Sequence, residues 1–363
     1  MDQAVSGGVI SGAPVNEGVQ RRRRRVRSAI AWVLLIGAAL VLAFGWLMPI
    51  VRTDSRPMQL LVWIAFMVRT FTFHAGLAVA VVALYMLAFR LWKPLIAAVP
   101  LLAITLGPAA LSYWPKDPPP ITGPGLTLIS CNLLVGSGSA RAALEYIERE
   151  NPDVVCFQEY NPAAHEVLSV PLKESYPHVV TGTREDAFGQ AVYSKFELRE
   201  AKLYPPPLSP DAGKGRRSTG VTEPQIRCVV TVDGREVVIQ NVHDTPPASL
   251  RLLQEQLRYF EWLDDFIGAE RRPVILVGDF NSTASTTQFG PLRRAGYRST
   301  HELAGSGRGS TWVDTTWLRH LPGVRIDHIW VSPGLTCERA EVGPSIGSDH
   351  RPIIAKVGFT AAR

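Results

Sequence analysis

Residues 29–114 are dominated by apolar runs longer than the helices of a globular core, and beyond residue 125 that character gives way to short alternating segments. Residues 29–50 are almost uninterrupted in apolar side chains, enough for one helix to cross the roughly 30 Å hydrocarbon layer of a bilayer. A second region, 58–92, is too long for one span and too short for two with a turn. Its span is expected at 71–91, with 58–68 partly interfacial and the ionisable Arg69 and His74 snorkelling toward the membrane surface. A third run covers 95–114. The pattern predicts a transmembrane module of about three helices.

Five consecutive arginines at 21–25, followed by Arg27, stand directly before the first run. The positive-inside rule makes them a cytoplasmic anchor in preference to a nucleic-acid-binding tail, and no cleavage site makes the segment a removable signal. With the N-terminus inside, three spans leave the rest of the chain outside the cell membrane. The expected organisation is a basic cytoplasmic tail (1–27), a transmembrane module (28–114), a Pro-rich linker (115–125) and a catalytic domain (126–363).

Charge divides along the same line. The tail through Arg27 carries +4 and residues 28–114 carry another +4, so in a chain of net charge +6 the remainder is about −2. The soluble part therefore lacks the broad positive footprint that duplex binding calls for, and nucleic acid is not the favoured partner. The four cysteines, Cys131, Cys156, Cys228 and Cys337, show no CxxC and no metal-ligand spacing, which predicts buried thiols and no disulfide framework.

In the soluble part, Pro118, Pro119 and Pro120 mark a stiff extended linker. Strands are expected at 126–133, 153–158, 178–181, 190–193, 227–232, 235–242, 273–277, 325–331 and 352–357. Helices are expected at 140–150, capped by Ser139, at 162–174 and at 249–267. Asp233-Gly234 is a hairpin turn signal. Residues 205–224, rich in Pro, Gly and Ser and carrying Lys214, Arg216 and Arg217, read as a solvated loop, with contact to an anionic substrate as the alternative. Strands and helices alternate first and strand pairs follow, which predicts an α/β sandwich with mixed sheets. There is no Walker loop.

Polar groups collect at the exits of the apolar strands: Asn132, Gln158-Glu159, Asn241-Val242-His243, Asp279 with Asn281, Asp327, and Asp349-His350. Taken singly, each has an ordinary structural use as a turn former, a cap partner or a satisfied core histidine. Their shared placement points to a site, because strand ends converge on one rim of a sheet. Carboxylates, amides and imidazoles are what phosphate-ester hydrolysis requires: a group to activate water, groups to hold phosphoryl oxygens, and a donor for the charge that develops.

The ordered set Ser130-Cys131-Asn132, Gln158-Glu159, Asn241-Val242-His243, Gly278-Asp279-Phe280-Asn281, Arg325-Ile326-Asp327-His328-Ile329 and Ser348-Asp349-His350-Arg351-Pro352 resembles the endonuclease/exonuclease/phosphatase superfamily. The resemblance spans residues 126–357. It implies a four-layered α/β sandwich of the DNase I type with Mg²⁺, or Mn²⁺ in its place, at the rim. Glu159 is then the principal metal ligand with Asn132 beside it, and Asp349 supports the metal side. Asp279 orients or deprotonates water, Asn281 holds a phosphoryl oxygen, His350 paired with Asp327 stabilises the transition state, and His243 contacts the phosphate from the opposite wall. Some members carry a second carboxylate where this chain has Leu134, so one metal is the expectation. Asp244 and His328 have no role beyond local hydrogen bonding. The basic tail, spans and external domain also resemble the VanJ-type membrane proteins linked with teicoplanin resistance. Together these imply a membrane-anchored, metal-dependent hydrolase of a phosphate ester or pyrophosphate, on a lipid or lipid-linked substrate at the outer face. An extracytoplasmic nuclease is the alternative.

Overall fold

The computed structural model describes residues 17–204, 224–315 and 320–361. The segment 205–223, with Lys214, Arg216 and Arg217, lies outside the described residues.

Four helices come first: α1 (Glu17–Leu47), α2 (Arg56–Thr70), α3 (Thr72–Ala88) and α4 (Trp92–Leu111). Helices α1 and α4 are each long and apolar enough to cross a membrane, and α2 with α3 forms one further candidate bent by 67°. The arginine run forms the first turns of α1. Arginine is a good helix former, and no Gly-Pro break separates it from the apolar run. Ala31, Leu35, Val79, Met86 and Ala98 pack inside the bundle, whereas Leu40, Val81 and Ile96 face outward. Apolar side chains thus stand both inside and outside the bundle.

Arg69 does not snorkel. Its Nε donates to the Gly45 carbonyl at 2.7 Å and its Nη2 to the Trp46 carbonyl at 2.7 Å, so this buried guanidinium caps the open carbonyls at the end of α1. His74 does not snorkel either: its Nε2 lies against the Pro322 carbonyl.

The remainder contains two six-stranded sheets. The first has the order β11-β12-β1-β2-β4-β3. Its strands are β1 (Thr122–Asn132), β2 (Val154–Gln158), β3 (His178–Gly182), β4 (Gln190–Ser194), β11 (Leu335–Val342) and β12 (Ile353–Phe359). The second has the order β5-β6-β7-β8-β10-β9. It comprises β5 (Arg199–Tyr204), β6 (Gln225–Val232), β7 (Arg235–His243), β8 (Val274–Asp279), β9 (Arg298–Ser299) and β10 (Asp327–Val331). Strands β1/β2 and β7/β8 pair in parallel. Antiparallel pairing joins the rest.

The period of two in each strand decides which core it joins. Leu126, Leu128, Cys156, Cys228, Ile239, Val277, Ile329 and Ala355 fill the space between the sheets. Their neighbours Ile129, Cys131, Val155 and Phe157 meet α5 (Ala140–Glu150) and α6 (Pro162–Ser175) on one outer face. Val238, Leu276 and Trp330 meet α7 (Leu250–Ala269) on the other. Helix, sheet, sheet and helix make the expected four layers. Short helices α8 (Gly290–Arg294) and α9 (Thr300–Ala304) precede β10. All four cysteines are buried free thiols.

Several expectations fail in detail. Ser139 does not cap α5; its hydroxyl donates to the Leu133 carbonyl, and the side-chain caps are Asn161 on α6 and Ser249 on α7. β1 starts at Thr122, where the end of the linker pairs with Phe359. The linker itself is docked, with the Pro119 carbonyl accepting from Thr336 and Lys116 Nζ donating to the His301 carbonyl. β5, β9 and β11 were not expected. The α1–α2 junction also docks on α7: Ile50, Val62 and Phe66 share a core with Leu253 and Leu257. Polar contacts reinforce it, Thr53 N–H to Gln254 Oε1 at 2.7 Å and Trp63 Nε1 to the Pro247 carbonyl at 2.9 Å.

Candidate active site

β7, β8 and β10 are adjacent, with His243 opposite Asp279 in the parallel pair and Asp327 opposite Asp279 in the antiparallel pair. Three polar side chains therefore stand in a row across one sheet end. Gly278 makes the row possible: a Cβ there would collide with the Val242 carbonyl, and its φ of 139° suits glycine. From the facing sheet, β1 and β2 deliver Asn132 and Gln158 in register. A buried polar ladder locks the two sheets together, Ser130 Oγ to Gln158 Oε1 at 3.1 Å, Gln158 Nε2 to Asn241 Oδ1 at 2.6 Å and Asn241 Nδ2 to the Phe157 carbonyl at 3.0 Å.

The side chains converge as a network. Asn132 Nδ2 donates to Glu159 Oε1 at 3.2 Å and to Asp279 Oδ2 at 3.1 Å, bridging two carboxylates, while its Oδ1 accepts from Leu134 N–H. The second Glu159 oxygen accepts from Val135 N–H at 2.9 Å. Asn281 N–H donates to Asp279 Oδ1 at 2.8 Å, and its side-chain amide spans the Asp244 carbonyl and Asp279 Oδ2. Glu159 and Asn281 both sit in the left-handed region, at φ 55° and 47°. Such backbone strain, costing of order 1 kcal/mol, persists where neighbours over-determine it.

His350 pairs through Nδ1 with Asp327 Oδ2 at 2.9 Å, leaving Nε2 3.7 Å from Asp279 Oδ2 and 3.9 Å from Asp349 Oδ1. His243 Nε2 stands 3.9 Å from Asp279 Oδ2 on the other side. Burial works against charge on His350, but the Asp327 and Asp279 carboxylates outweigh it and hold its pKa well above the usual imidazole range. Burial, joined by the charge of Asp327, raises Asp279 above the carboxylate range. Burial lowers His243 to about 4, so that it is neutral. Glu159 is raised, again by burial. Neighbouring groups thus hold different protonation states.

All eight residues singled out in the sequence, Asn132, Glu159, His243, Asp279, Asn281, Asp327, Asp349 and His350, meet at this rim. His328 does not; its Nε2 meets the Ser282 carbonyl beneath, as local bonding predicts. Sequence reading missed Thr311, whose Oγ1 accepts from Ile326 and Asp327 N–H, and Trp312, whose Nε1 donates to Asp349 Oδ2 at 3.1 Å. Both lie in an irregular loop with no periodic signal.

The donor set fits a hard divalent cation, because the clustered groups are carboxylate oxygens and Asp349 Oδ1 is buried with no hydrogen-bond partner among the described residues. Ligand atoms of Asp279, Asp327 and His350 lie within 4.8 Å of one another. Asp327 occupies His350 Nδ1, and against burial its charge with that of Asp279 raises the His350 pKa.

The endonuclease/exonuclease/phosphatase family pattern matches residues 129–350, more than half of the sequence, and the chain belongs to that family. Members of this class are phosphodiesterase and phosphatase hydrolases. A Vibrio cholerae UPF0294 protein is 33% identical over 130 residues, 34% of this chain and 41% of that protein. The chain thus matches about two-fifths of that relative's length. Among solved structures, Danio rerio TDP2 complexed with a single-strand DNA product superposes with a TM-score of 0.53 at 18% identity, covering 64% of this chain and 99% of that one. A Leptotrichia buccalis endonuclease/exonuclease/phosphatase family protein gives 0.52 at 16% identity, covering 64% and 100%. These likenesses establish the fold.

Proposed function

We propose that this chain is a membrane-anchored, Mg²⁺-dependent phosphoesterase that hydrolyses a phosphate ester or pyrophosphate of a lipid or lipid-linked substrate at the outer membrane face. The observation that carries this reading is the placement of the rim. The segment after Asn281 rests on the helices, with Ser285 Oγ donating to the Arg69 carbonyl, and the loop before Asp327 meets His74 at Pro322. The catalytic edge is therefore the edge nearest the apolar helices. The slightly acidic body and the resemblance to VanJ-type membrane proteins support the same substrate class.

Glu159 and Asp349, with Asn132 beside them, would hold the cation, which when bound supplies Lewis-acid stabilisation of phosphoryl charge. Asp279, its pKa raised toward neutrality, is suited to accept a proton from the attacking water, and Asn281 aligns it. His350, held by Asp327, donates from Nε2 to the phosphoryl group as charge develops. Neutral His243 contacts the phosphate from the opposite wall.

A nuclease is the second reading, favoured by the structural likeness to a TDP2 complexed with a single-strand DNA product. The full chain in detergent with Mg²⁺, assayed in parallel on phosphatidic acid, a prenyl pyrophosphate and plasmid DNA, separates the two. Turnover of a lipid phosphate without plasmid nicking is expected. Rapid nicking with no lipid turnover would overturn the lipid reading.

A further inference from the structure

Between the helices and the catalytic domain lies a cavity of about 620 Å³. Five cations border it, Arg69, Lys116, Arg293, Arg308 and Arg325, against one carboxylate among the described residues, Glu302. Arg293 pairs with Glu302 at 2.8 Å. The other four have no carboxylate partner among the described residues. Arg69 caps α1, Lys116 bonds the His301 carbonyl, and Arg308 bonds the Gly323 carbonyl while stacking 3.6 Å from the Phe73 ring centroid. Arg325 Nη1 is sealed from solvent with no hydrogen-bond partner among the described residues.

Five cations gathered against the one carboxylate of Glu302 are an unfavourable arrangement that a further anion relieves. Burial and then the neighbouring Arg325 lower the Lys116 pKa, and burial lowers that of Arg325 to about 10, with the Glu302 charge opposing both shifts in part. The remaining wall is apolar: Trp46, Phe73, Ile104 and Leu111. Ile104 and Leu111 are 61% and 69% exposed on the outer flank of α4, so the mouth opens toward the space that lipid chains fill.

The wall is also continuous with the catalytic rim. Thr283 and Ser285 lie two and four residues after Asn281, and Val324 and Arg325 three and two residues before Asp327.

We infer that this cavity is a binding site for the headgroup of a phosphate-bearing lipid, with the phosphate against Lys116, Arg308 and Arg325 and the chains leaving past Ile104 and Leu111. A zwitterionic headgroup does not balance four cations in excess of the one carboxylate, whereas a phosphate monoester of about −1.5 to −2, or a pyrophosphate, does so more nearly. The inference rests on the reading of α1–α4 as bilayer-embedded, and it makes the cavity the place where a lipid substrate is captured beside Asp279 and His350.

The test uses the full chain in phosphatidylcholine nanodiscs doped with phosphatidic acid, in EDTA so that nothing is hydrolysed, with retained lipid counted by native mass spectrometry. Wild type should retain phosphatidic acid about tenfold over phosphatidylcholine, and Lys116→Gln with Arg308→Gln should remove that preference. Ala109→Trp, which fills the cavity without altering its charge, should do the same, while Lys93→Gln outside it should not. Equal retention of both lipids by wild type, or an unchanged preference in both cavity variants, overturns the site. Inorganic phosphate that binds as tightly as phosphatidic acid overturns the lipid source. Because hydrolysis is not the readout, selective retention without any lipid turnover would remove the proposed activity and leave this site standing.

Discussion

At the scale of single residues, the site is a set of hydrogen bonds that fix which groups carry protons. Asp327 holds His350 through Nδ1, and Asn132 ties Glu159 to Asp279. Asp279→Asn and His350→Ala should each lower kcat by about 10²- to 10⁴-fold. Far-ultraviolet circular dichroism should remain unchanged, since both side chains belong to the buried polar network at the rim and to none of the apolar clusters that hold the sheets and helices together. Wild-type turnover in both variants would refute the roles assigned to them. The identity of these residues was readable because each sits beside an apolar strand end. The pairing of His350 with Asp327 was implied by the family resemblance, but the bridge from Asn132 to Asp279 joins positions far apart in the chain and was not, and Thr311 and Trp312 carry no local pattern. The reading of Arg69 as a snorkelling cation went wrong for the same reason, since the carbonyls it caps belong to another helix.

At the scale of elements, alternation predicted the central strands well because they are buried on one face by the sheet partner and on the other by helices. Strands β5 and β11 escaped notice. Both lie toward sheet edges and alternate charged with apolar residues weakly, as in the Arg-Glu-Ala-Lys-Leu-Tyr run of β5. The turn at Asp233-Gly234 was legible, and both residues adopt the left-handed conformation that such a turn requires, at φ 53° and 73°. The close approach of β7 and β8 at Gly278 is an element-scale constraint with a direct consequence. Gly278→Ala should destabilise the protein by more than about 2 kcal/mol and reduce activity, because the strand that aims Asp279 must move away from Val242. Gly268→Ala in α7, where an added Cβ meets nothing, should be neutral or slightly stabilising. Thermal unfolding of the two variants in detergent compares them, and equal melting temperatures would contradict the packing argument.

At the scale of the whole molecule, the helices and the catalytic domain form one packed object. The shared core of Phe66 with Leu253 and Leu257, the docked linker and the contacts of Arg69 and His74 set the rim against the bundle. An orientation follows from the arginines that begin α1. A reporter that is active only outside the cytoplasm, fused after Arg363, should be active in cells, with a cytoplasmic-active reporter silent at the same position. The reverse result would place the site on the inner face and remove an outer-leaflet substrate.

The sequence by itself determined the apolar module, the alternation that makes a four-layered sandwich, and the kinds of side chain gathered at the strand ends. Those are local properties, carried by periodicity and by short motifs. Only the tertiary structure decided that Arg69 caps a helix, that Asn132 bridges Glu159 and Asp279, and that a cation-lined cavity sits between helices and catalytic rim. Each of these joins residues from separate elements, and long-range proximity is set by packing of the whole chain, which no local pattern encodes.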